Sequence, residues 1–320
     1  MGLPRDILGI HTKTRGMHML MSFIGCVGVL MADSGLEDIM KSCFGGVAHM
    51  LSGKKFPQNF RAIRLVTEEL LRAHLEGCES HEEMLGALES ISVRSITTRL
   101  WVQNLIKPVF IMMTFVRTER EADWPLHLWA VEQMMPYFFA SAHFNNARYG
   151  LYYLRTMERL PPEMLQCFMR GEHTMRHKPG FWNGIWSDMW IETTFMRYGH
   201  GPNRIIGITL KPETLQRWAY SVHTCSMIVQ DIADMSDDSV EREVTSHKEE
   251  KPSRIISDAK DRDKIREKLL TFIDPLDPTG HPAGLINIVT GRIAPETVNA
   301  HDAVDIGNGQ LASFEKSWPG

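Results

Sequence analysis

Apolar residues recur at helical spacing through most of the first 235 residues, and this period constrains the fold more than any other feature of the sequence. In the segment 59–76, for instance, Phe60, Ile63, Val66 and Leu70 follow one another at intervals of three or four. That spacing places them on one face of an α-helix. Strand patterns are scarce by comparison. The sequence therefore predicts a mainly α fold, a multi-helix bundle with at most a few short strands and a poorly ordered C-terminal region.

Local start and stop signals divide this pattern into separate helices. Ser80 and Glu83 form a capping box. Asp123 is placed to cap a helix whose first turn tolerates Pro125, and Pro108 is expected to kink the helix that contains it. Helices are thus predicted at 17–32, 36–51, 59–76, from Ser80 onward, and at 97–117, 124–143, 145–159, 162–170 and 211–234.

Changes in composition along the chain predict four regions. Residues 1–16 form an irregular N-terminal segment, and residues 17–235 form the helical domain. A run of charges with few apolar residues marks 236–257 as a flexible linker. Residues 258–320 are rich in Pro, Gly and Asn and are expected to pack loosely, with one amphipathic helix near their start.

Net charge, cysteine spacing and the length of apolar runs argue against several classes of function. The net charge is −4, so no global basic field draws nucleic acid, although a local basic groove for DNA remains compatible with it. The five cysteines are scattered without a CxxC pair, which indicates neither a zinc ribbon nor a disulfide framework. The apolar run 17–32 is shorter than the ~20 residues of a membrane span. These features predict an intracellular protein of the nucleus or cytoplasm, with no membrane association.

Two carboxylates stand in the most apolar surroundings of the chain. Asp188 and Glu192 are four residues apart and share one face of a predicted helix, with several tryptophans around them. Such a pair can hold Mg²⁺ and orient a phosphate for attack. The alternative is a pair of partly buried acids bonded to Arg197 or Arg204, because structural ion pairs perturb acids in the same way. His200 is a further candidate in this stretch.

Other polar groups have two interpretations each. His173 and His177 have zinc-ligand spacing, but their helix context is poor, which favours solvated surface histidines. Asn145 and Arg148 could grip a phosphate or an acidic side chain, although helix capping by Asn145 explains that residue equally well. His18, alone on the most apolar helix, is typical of a satisfied core group.

Several stretches resemble a known family. They include MHMLMSFIGCVGVLMADSG, NNARYGLYYLRTMERLP, WNGIWSDMWIETTFMRYGHG, IIGITLKPETL and GLINIVTGRIAPETVN. These look like a large family of uncharacterised proteins that is multicopy in invertebrate and fish genomes and spread by mobile elements. The resemblance covers nearly the whole chain, and it implies an origin rather than an activity.

A weaker similarity links the layout to the later half of DDE transposases with a ribonuclease-H-like fold. On that analogy His18 belongs to a G-x-H turn, residues 35–180 match a helical insertion, and Glu192 is the last metal-binding acid, with Asp188 one turn before it. The acid expected beside His18 is absent. The resemblance therefore implies a truncated, catalytically inactive fragment that needs no cofactor. Were it active, it would be a Mg²⁺-dependent nuclease or strand transferase.

Two further hypotheses remain open. The chain could be a helical protein–protein interaction module without nucleic-acid function, using Trp and Met surfaces to bind partners. It could also be an intact hydrolase or phosphotransferase built on Asp188 and Glu192 alone, but no nucleophile or phosphate-binding loop accompanies them.

Overall fold

The computed structural model describes residues 16–53, 56–75, 77–176, 184–191, 213, 252–279 and 281–317. These residues are mainly α-helical, which confirms the predicted fold class. The helices are α1 (Gly16–Leu30), α2 (Leu36–Lys41), α3 (Val47–Leu51), α4 (Phe56–Leu75), α5 (His81–Ser92), α6 (Ile96–Trp101), α7 (Lys107–Glu121), α8 (Trp124–Ala140), α9 (Phe144–Glu158), α10 (Pro162–Met169), α11 (Ser187–Ile191), α12 (Pro252–Leu269) and α13 (Ala303–Ser317). A single antiparallel ladder in the described part pairs β1 (Met175–Arg176) with β2 (Gly184–Ile185).

Two caps lie where the sequence places them. The hydroxyl of Ser80 accepts a hydrogen bond from the backbone N–H of Glu83 at 3.1 Å. The carboxylate of Asp123 accepts one from Leu126 at 3.0 Å and so caps α8. In both cases donor and acceptor are three residues apart, so local sequence is sufficient to fix the bond.

Two helices differ from their predicted form. The segment 36–51 is split into α2 and α3, because Gly46 takes a left-handed backbone (φ 72°) that a continuous helix excludes. A kink is predicted at Pro108. The structure has a π-helix, Val102–Ile106, just before this proline, between α6 and α7. The backbone stays helical from this insertion into α7, and Pro108 has no N–H to donate. The carbonyl oxygen of Gln103, five residues before Pro108, instead accepts a hydrogen bond from the Tyr137 hydroxyl at 3.0 Å.

The central element is α8, which buries most of its circumference and leaves one narrow face exposed at Pro125, Trp129 and Glu132. It packs against α1, α7, α9 and α13. Phe23 of α1 contacts the rings of Tyr137 and Phe138, at centroid distances of 5.4 Å and 5.8 Å. The predicted helix 17–32 is therefore a core helix, and no described helix has the length and apolarity needed to cross a bilayer.

The region 258–320 docks on the N-terminal helices although few of its own side chains are buried. Its largest buried residues are apolar, namely Ile265, Leu276, Leu285, Ile286 and Ile288. Side-chain bonds add to the docking. Asn104 in the π-helix donates through Nδ2 to the carbonyl oxygen of Ala300 at 2.7 Å. Contacts accordingly place Asp258–Gly320 in one compact unit with Met1–Trp186.

Residues Ser187–Ser257 form a second compact unit. Within the described part of the chain it contains α11 and the first residues of α12. The predicted strand at 7–10 lies outside the described residues, and the predicted helix 211–234 does so except for Glu213. The second unit carries the acidic stretch singled out by the sequence.

Two glycines in the first unit allow close helix packing. A Cβ on Gly28 in α1 would overlap the carbonyl oxygen of Leu51, and one on Gly307 in α13 would overlap the carbonyl oxygen of Pro136 in α8. Any larger residue at these positions would push the helices apart.

Candidate functional site

The predicted acid pair is only partly described by the structure. Asp188 lies in α11 and is 6% exposed. Its Oδ1 accepts a hydrogen bond from the backbone N–H of Met189 at 3.0 Å. Glu192 and His200 lie outside the described residues, as do Arg197 and Arg204. The pair therefore stays a prediction, and the described half of it is a buried carboxylate bonded to its own helix.

Metal binding can be tested further on the described residues. Within the ranges given above, no group of three or more His, Cys, Asp or Glu side chains is placed to hold a metal ion. A catalytic Mg²⁺ site takes one or two carboxylates together with substrate phosphates. Of the two predicted Mg²⁺ ligands, Asp188 and Glu192, the structure gives a position for Asp188 alone.

The predicted histidines have contrasting positions. His18 lies on α1 and is half-buried. His173, expected at the surface, is instead buried at 5% exposure. Its ring packs against the ring of Trp124 at 5.0 Å, and its Nδ1 lies 3.1 Å from the carbonyl oxygen of Phe168. His177 lies outside the described residues, so the structure does not test whether His173 and His177 form a zinc-binding pair.

A buried acid–histidine–tyrosine chain links three helices of the first unit. Glu119 of α7 and His127 of α8 lie 3.0 Å apart, measured from Oε1 to Nδ1. On the other side of the imidazole, Nε2 lies 3.0 Å from the hydroxyl of Tyr153 in α9. Glu119 and His127 are each 1% exposed. Sequence analysis did not single out Glu119, which lies between the charged residues Arg117 and Arg120 in the chain. Its position four residues after Phe115, on the buried face of α7, is the signal that identifies it.

Aromatic rings enclose this chain. The ring of His127 stacks on that of Trp124 at 5.4 Å and is tilted against Phe115 at 5.3 Å. Trp186, which directly follows β2, stacks on Phe115 at 5.8 Å. An acid, an imidazole and a phenol in series are the groups of a proton relay. Enclosed in this way they offer no space to a substrate, and their evident role is to join α7, α8 and α9.

Two cysteines have opposite surroundings. Burial in α1 raises the pKa of the Cys26 thiol to about 12, so Cys26 remains a protonated, unreactive thiol. Cys167 is half-buried, and its sulfur accepts a hydrogen bond from the Arg170 guanidinium at 3.2 Å. That guanidinium is also paired with Glu172 at 2.8 Å, so its charge is shared between the two groups.

The outer face of α9 carries Asn145 and Arg148, the other polar site predicted from the sequence, together with residues that the sequence did not single out. It comprises Asn145, Arg148, Tyr149, Tyr152 and Arg155, which lie at helical spacing and are all exposed. Asn145 does not cap the helix, because the N-cap is His143 and its side chain makes no capping bond. Tyr149 is 69% exposed and Tyr152 is 50% exposed. The face thus combines two solvent-exposed phenol rings with two guanidinium groups.

The two arginines of this face differ in their pairing. Arg155 contacts Glu158 at 3.1 Å and Glu315 of α13 at 3.1 Å. These carboxylates raise the pKa of the Arg155 guanidinium further above its ordinary value. Arg148 has no ion pair with any described carboxylate. Of the site residues predicted from sequence, only Asn145 and Arg148 are brought together by the described structure.

A family model described as "Domain of unknown function (DUF8702)" matches residues 5–93 and 78–317. Nothing among the curated proteins matches the chain, and nothing among the solved structures does.

Proposed function

The chain belongs to the family of that model, and we propose that it is a helical interaction module that binds a protein partner and catalyses no reaction. The observation that carries this proposal is the outer face of α9. Tyrosine and arginine are the residues most enriched, with tryptophan, at the energetic centres of protein interfaces. Here the side chains of Tyr149 and Tyr152 are exposed to solvent beside Arg148, whereas many other aromatic side chains of the unit are buried.

The charges around this face favour a protein over DNA. Glu158 and Glu315 flank Arg155, and they would repel the phosphates of a nucleic acid. A DNA-binding face gains its affinity from cations that neutralise phosphates without competing acids. The net charge of −4 adds to this repulsion. Mixed charge around exposed tyrosines is ordinary for the rim of a protein interface.

We also propose that the family resemblance reflects descent from a mobile-element transposase whose catalytic function has been lost. The burial of Asp188, and its bond to the N–H of Met189, support a structural role for that acid. The absence of an acid beside His18 in the sequence supports the same conclusion. On this proposal the protein is intracellular, in the nucleus or cytoplasm.

Site-specific photocrosslinking tests the interaction proposal. A photoreactive phenylalanine analogue replaces Tyr149 in one version of the full chain and Val93 in another, since Val93 directly follows α5 and is 82% exposed. We expect one reproducible protein adduct from position 149 that is absent from position 93. The adduct must also disappear in the Tyr152→Ser variant, and the adducted protein must bind the purified chain. Adducts that are equal at both positions would exclude the outer face as the binding site.

A nicking assay tests the proposed loss of catalysis. The full chain is incubated with supercoiled DNA and Mg²⁺, and the Glu192→Gln variant is the matched control. We expect equal, background-level nicking from both. Robust nicking that Glu192→Gln abolishes would show an active metal-dependent nuclease and would refute this part of the proposal.

A further inference from the structure

Next to the outer face of α9, a groove of ≈ 650 Å³ runs between α8, α9 and α13. Its walls are largely apolar and aromatic, and they include Phe139, Phe144, Ile306 and Phe314. The rings of Phe139 and Phe314 contact each other, with centroids 5.7 Å apart. Phe144 remains 49% exposed. The groove therefore leaves aromatic surface in water that an apolar side chain would cover.

Two glycines of α13 explain why the groove is open. Gly307 lets α13 approach α8 closely at Pro136. Gly309, two residues on, points the other way and lines the groove, and a Cβ there would meet no atom within 4 Å. The lack of a side chain at Gly309 leaves room for a side chain supplied from outside.

The charge at the groove selects the chemistry of its occupant. Of the described residues that line it, Arg148 alone is charged. Unlike Arg155 in the same helix, Arg148 has no carboxylate partner in the described part of the chain. A guanidinium beside an apolar wall binds a carboxylate strongly, because little water competes for the bond. The complementary surface is an apolar anchor with an acidic residue beside it.

We propose, on the premise that the chain works by binding a protein, that this groove takes an acidic amphipathic helix of the partner. One large apolar side chain of that helix enters beside Phe144 and Gly309, and an Asp or Glu next to it pairs with Arg148. Helix-in-groove recognition uses anchors of this kind along one helical face. The outer face of α9, with Tyr149 and Tyr152, then contacts the flank of the same helix.

Selection from a phage-displayed library of random peptides of about twelve residues tests this inference on the full chain. We expect the enriched peptides to combine a large apolar residue with Asp or Glu. The best peptide should bind Arg148→Glu at least about tenfold more weakly, the factor that corresponds to one charge-assisted contact. It should bind Arg159→Glu nearly as well as the unaltered chain, because Arg159 is exposed at the end of α9 but does not line the groove.

A second variant separates the groove from the surrounding surface. A Cβ at Gly309 would meet no atom within 4 Å, so Gly309→Leu should keep or slightly raise the melting temperature while its side chain occupies the groove and the selected peptide loses its binding. Selected peptides that are basic or uncharged, that bind Gly309→Leu normally, or that never emerge would overturn the inference. A dimer of the chain that Gly309→Leu dissociates, seen by sedimentation velocity, would make a second copy the occupant and would also overturn it. If the Tyr149 adduct persists in Gly309→Leu, the interaction proposal stands and only the groove is excluded.

Discussion

Oε1 of Glu119 and Nδ1 of His127 lie 3.0 Å apart in a region that water hardly reaches. An ionisable pair of this kind is costly to bury, and removal of one member takes away an interaction that compensates the burial of the other. The pair also links α7 to α8, and Tyr153 extends the link to α9. The buried chain is therefore expected to influence stability more than any exposed charge of the molecule.

Replacement of His127 by Leu should destabilise the protein by about 3–5 kcal/mol, because it leaves the Glu119 carboxylate buried beside an apolar side chain. The double variant Glu119→Leu/His127→Leu should lose less free energy of unfolding, because no carboxylate is then buried beside the new apolar side chain. Urea unfolding monitored by circular dichroism measures both. A loss below about 1 kcal/mol for His127→Leu would show that the pair is not coupled in this way.

Tyr153→Phe should cost about 1–3 kcal/mol, because the imidazole Nε2 of His127 loses the hydroxyl that lies 3.0 Å away. Tyr149→Phe is the matched control on the same helix, since its side chain is 69% exposed. Exposed substitutions of this kind change the free energy of unfolding by no more than about 0.5 kcal/mol. Equal effects of the two variants would argue against a buried hydroxyl contact.

Two glycine variants of α13 should have opposite effects. Gly307→Ala places a methyl group against the carbonyl oxygen of Pro136 and should cost about 1–3 kcal/mol through overpacking. Gly309→Ala meets no neighbour and should stabilise the helix by about 0.5–1 kcal/mol, because alanine restricts the unfolded chain. Thermal melts compare them directly. A lower melting temperature for Gly309→Ala than for Gly307→Ala would contradict the packing of α13.

The docking of α12 should depend on ionic bonds. The Arg61 guanidinium of α4 contacts Asp258 and Asp261, each at 2.6 Å, while Ile265 is the one buried residue of α12. Arg61→Met should raise amide hydrogen exchange in residues 258–269 roughly tenfold or more, because hydrogen bonds to charged groups are worth about 1.5–3 kcal/mol. Arg94→Met is the control, since Arg94 is exposed and forms no ion pair with described residues. Unchanged exchange in Arg61→Met would show that the apolar contact alone holds α12.

The same ion pairs should make the docking of α12 sensitive to acid. Burial tends to raise the pKa of Asp258, but hydrogen bonds from Arg61 and Arg64 outweigh it and lower that pKa below the ordinary 3.8. A depressed folded-state pKa stabilises the folded form above the unfolded pKa, and this stabilisation is lost as pH falls through the folded pKa. We therefore expect α12 to loosen below about pH 4. Hydrogen exchange at pH 5 and pH 3 measures this, and a smaller pH effect in Arg61→Met would assign it to the pair.

Local chemistry explains which parts of the fold the sequence predicts. The caps at Ser80 and Asp123 are formed by atoms three residues apart, and the periodic segment 59–76 needs only its own pattern to be identified as α4. The split of 36–51 also has a local signal, because Gly45 and Gly46 are adjacent in the sequence and a Gly-Gly pair marks a turn, but the apolar spacing on both sides favours one continuous helix.

Tertiary contacts explain what the sequence does not reveal. The segment 303–317 has helix-weakening glycines, and it is stabilised as α13 because Gly307 fits against Pro136. Glu119 is surrounded in sequence by other charges, so only the packing of α7 against α8 shows that it is buried. The groove at Arg148 combines residues of the consecutive helices α8 and α9 with residues of α13, which is distant in the chain, so no local pattern predicts it.

The bond from Asn104 to Ala300 spans 196 residues, and it has a consequence for biosynthesis. At roughly 5–20 residues per second, a ribosome needs about 10–40 s to make the acceptor after the donor has been made. During that interval the π-helix and its neighbours lack the segment that covers them, so nascent chains of this protein should be clients of ribosome-associated chaperones until Ala300 has been made.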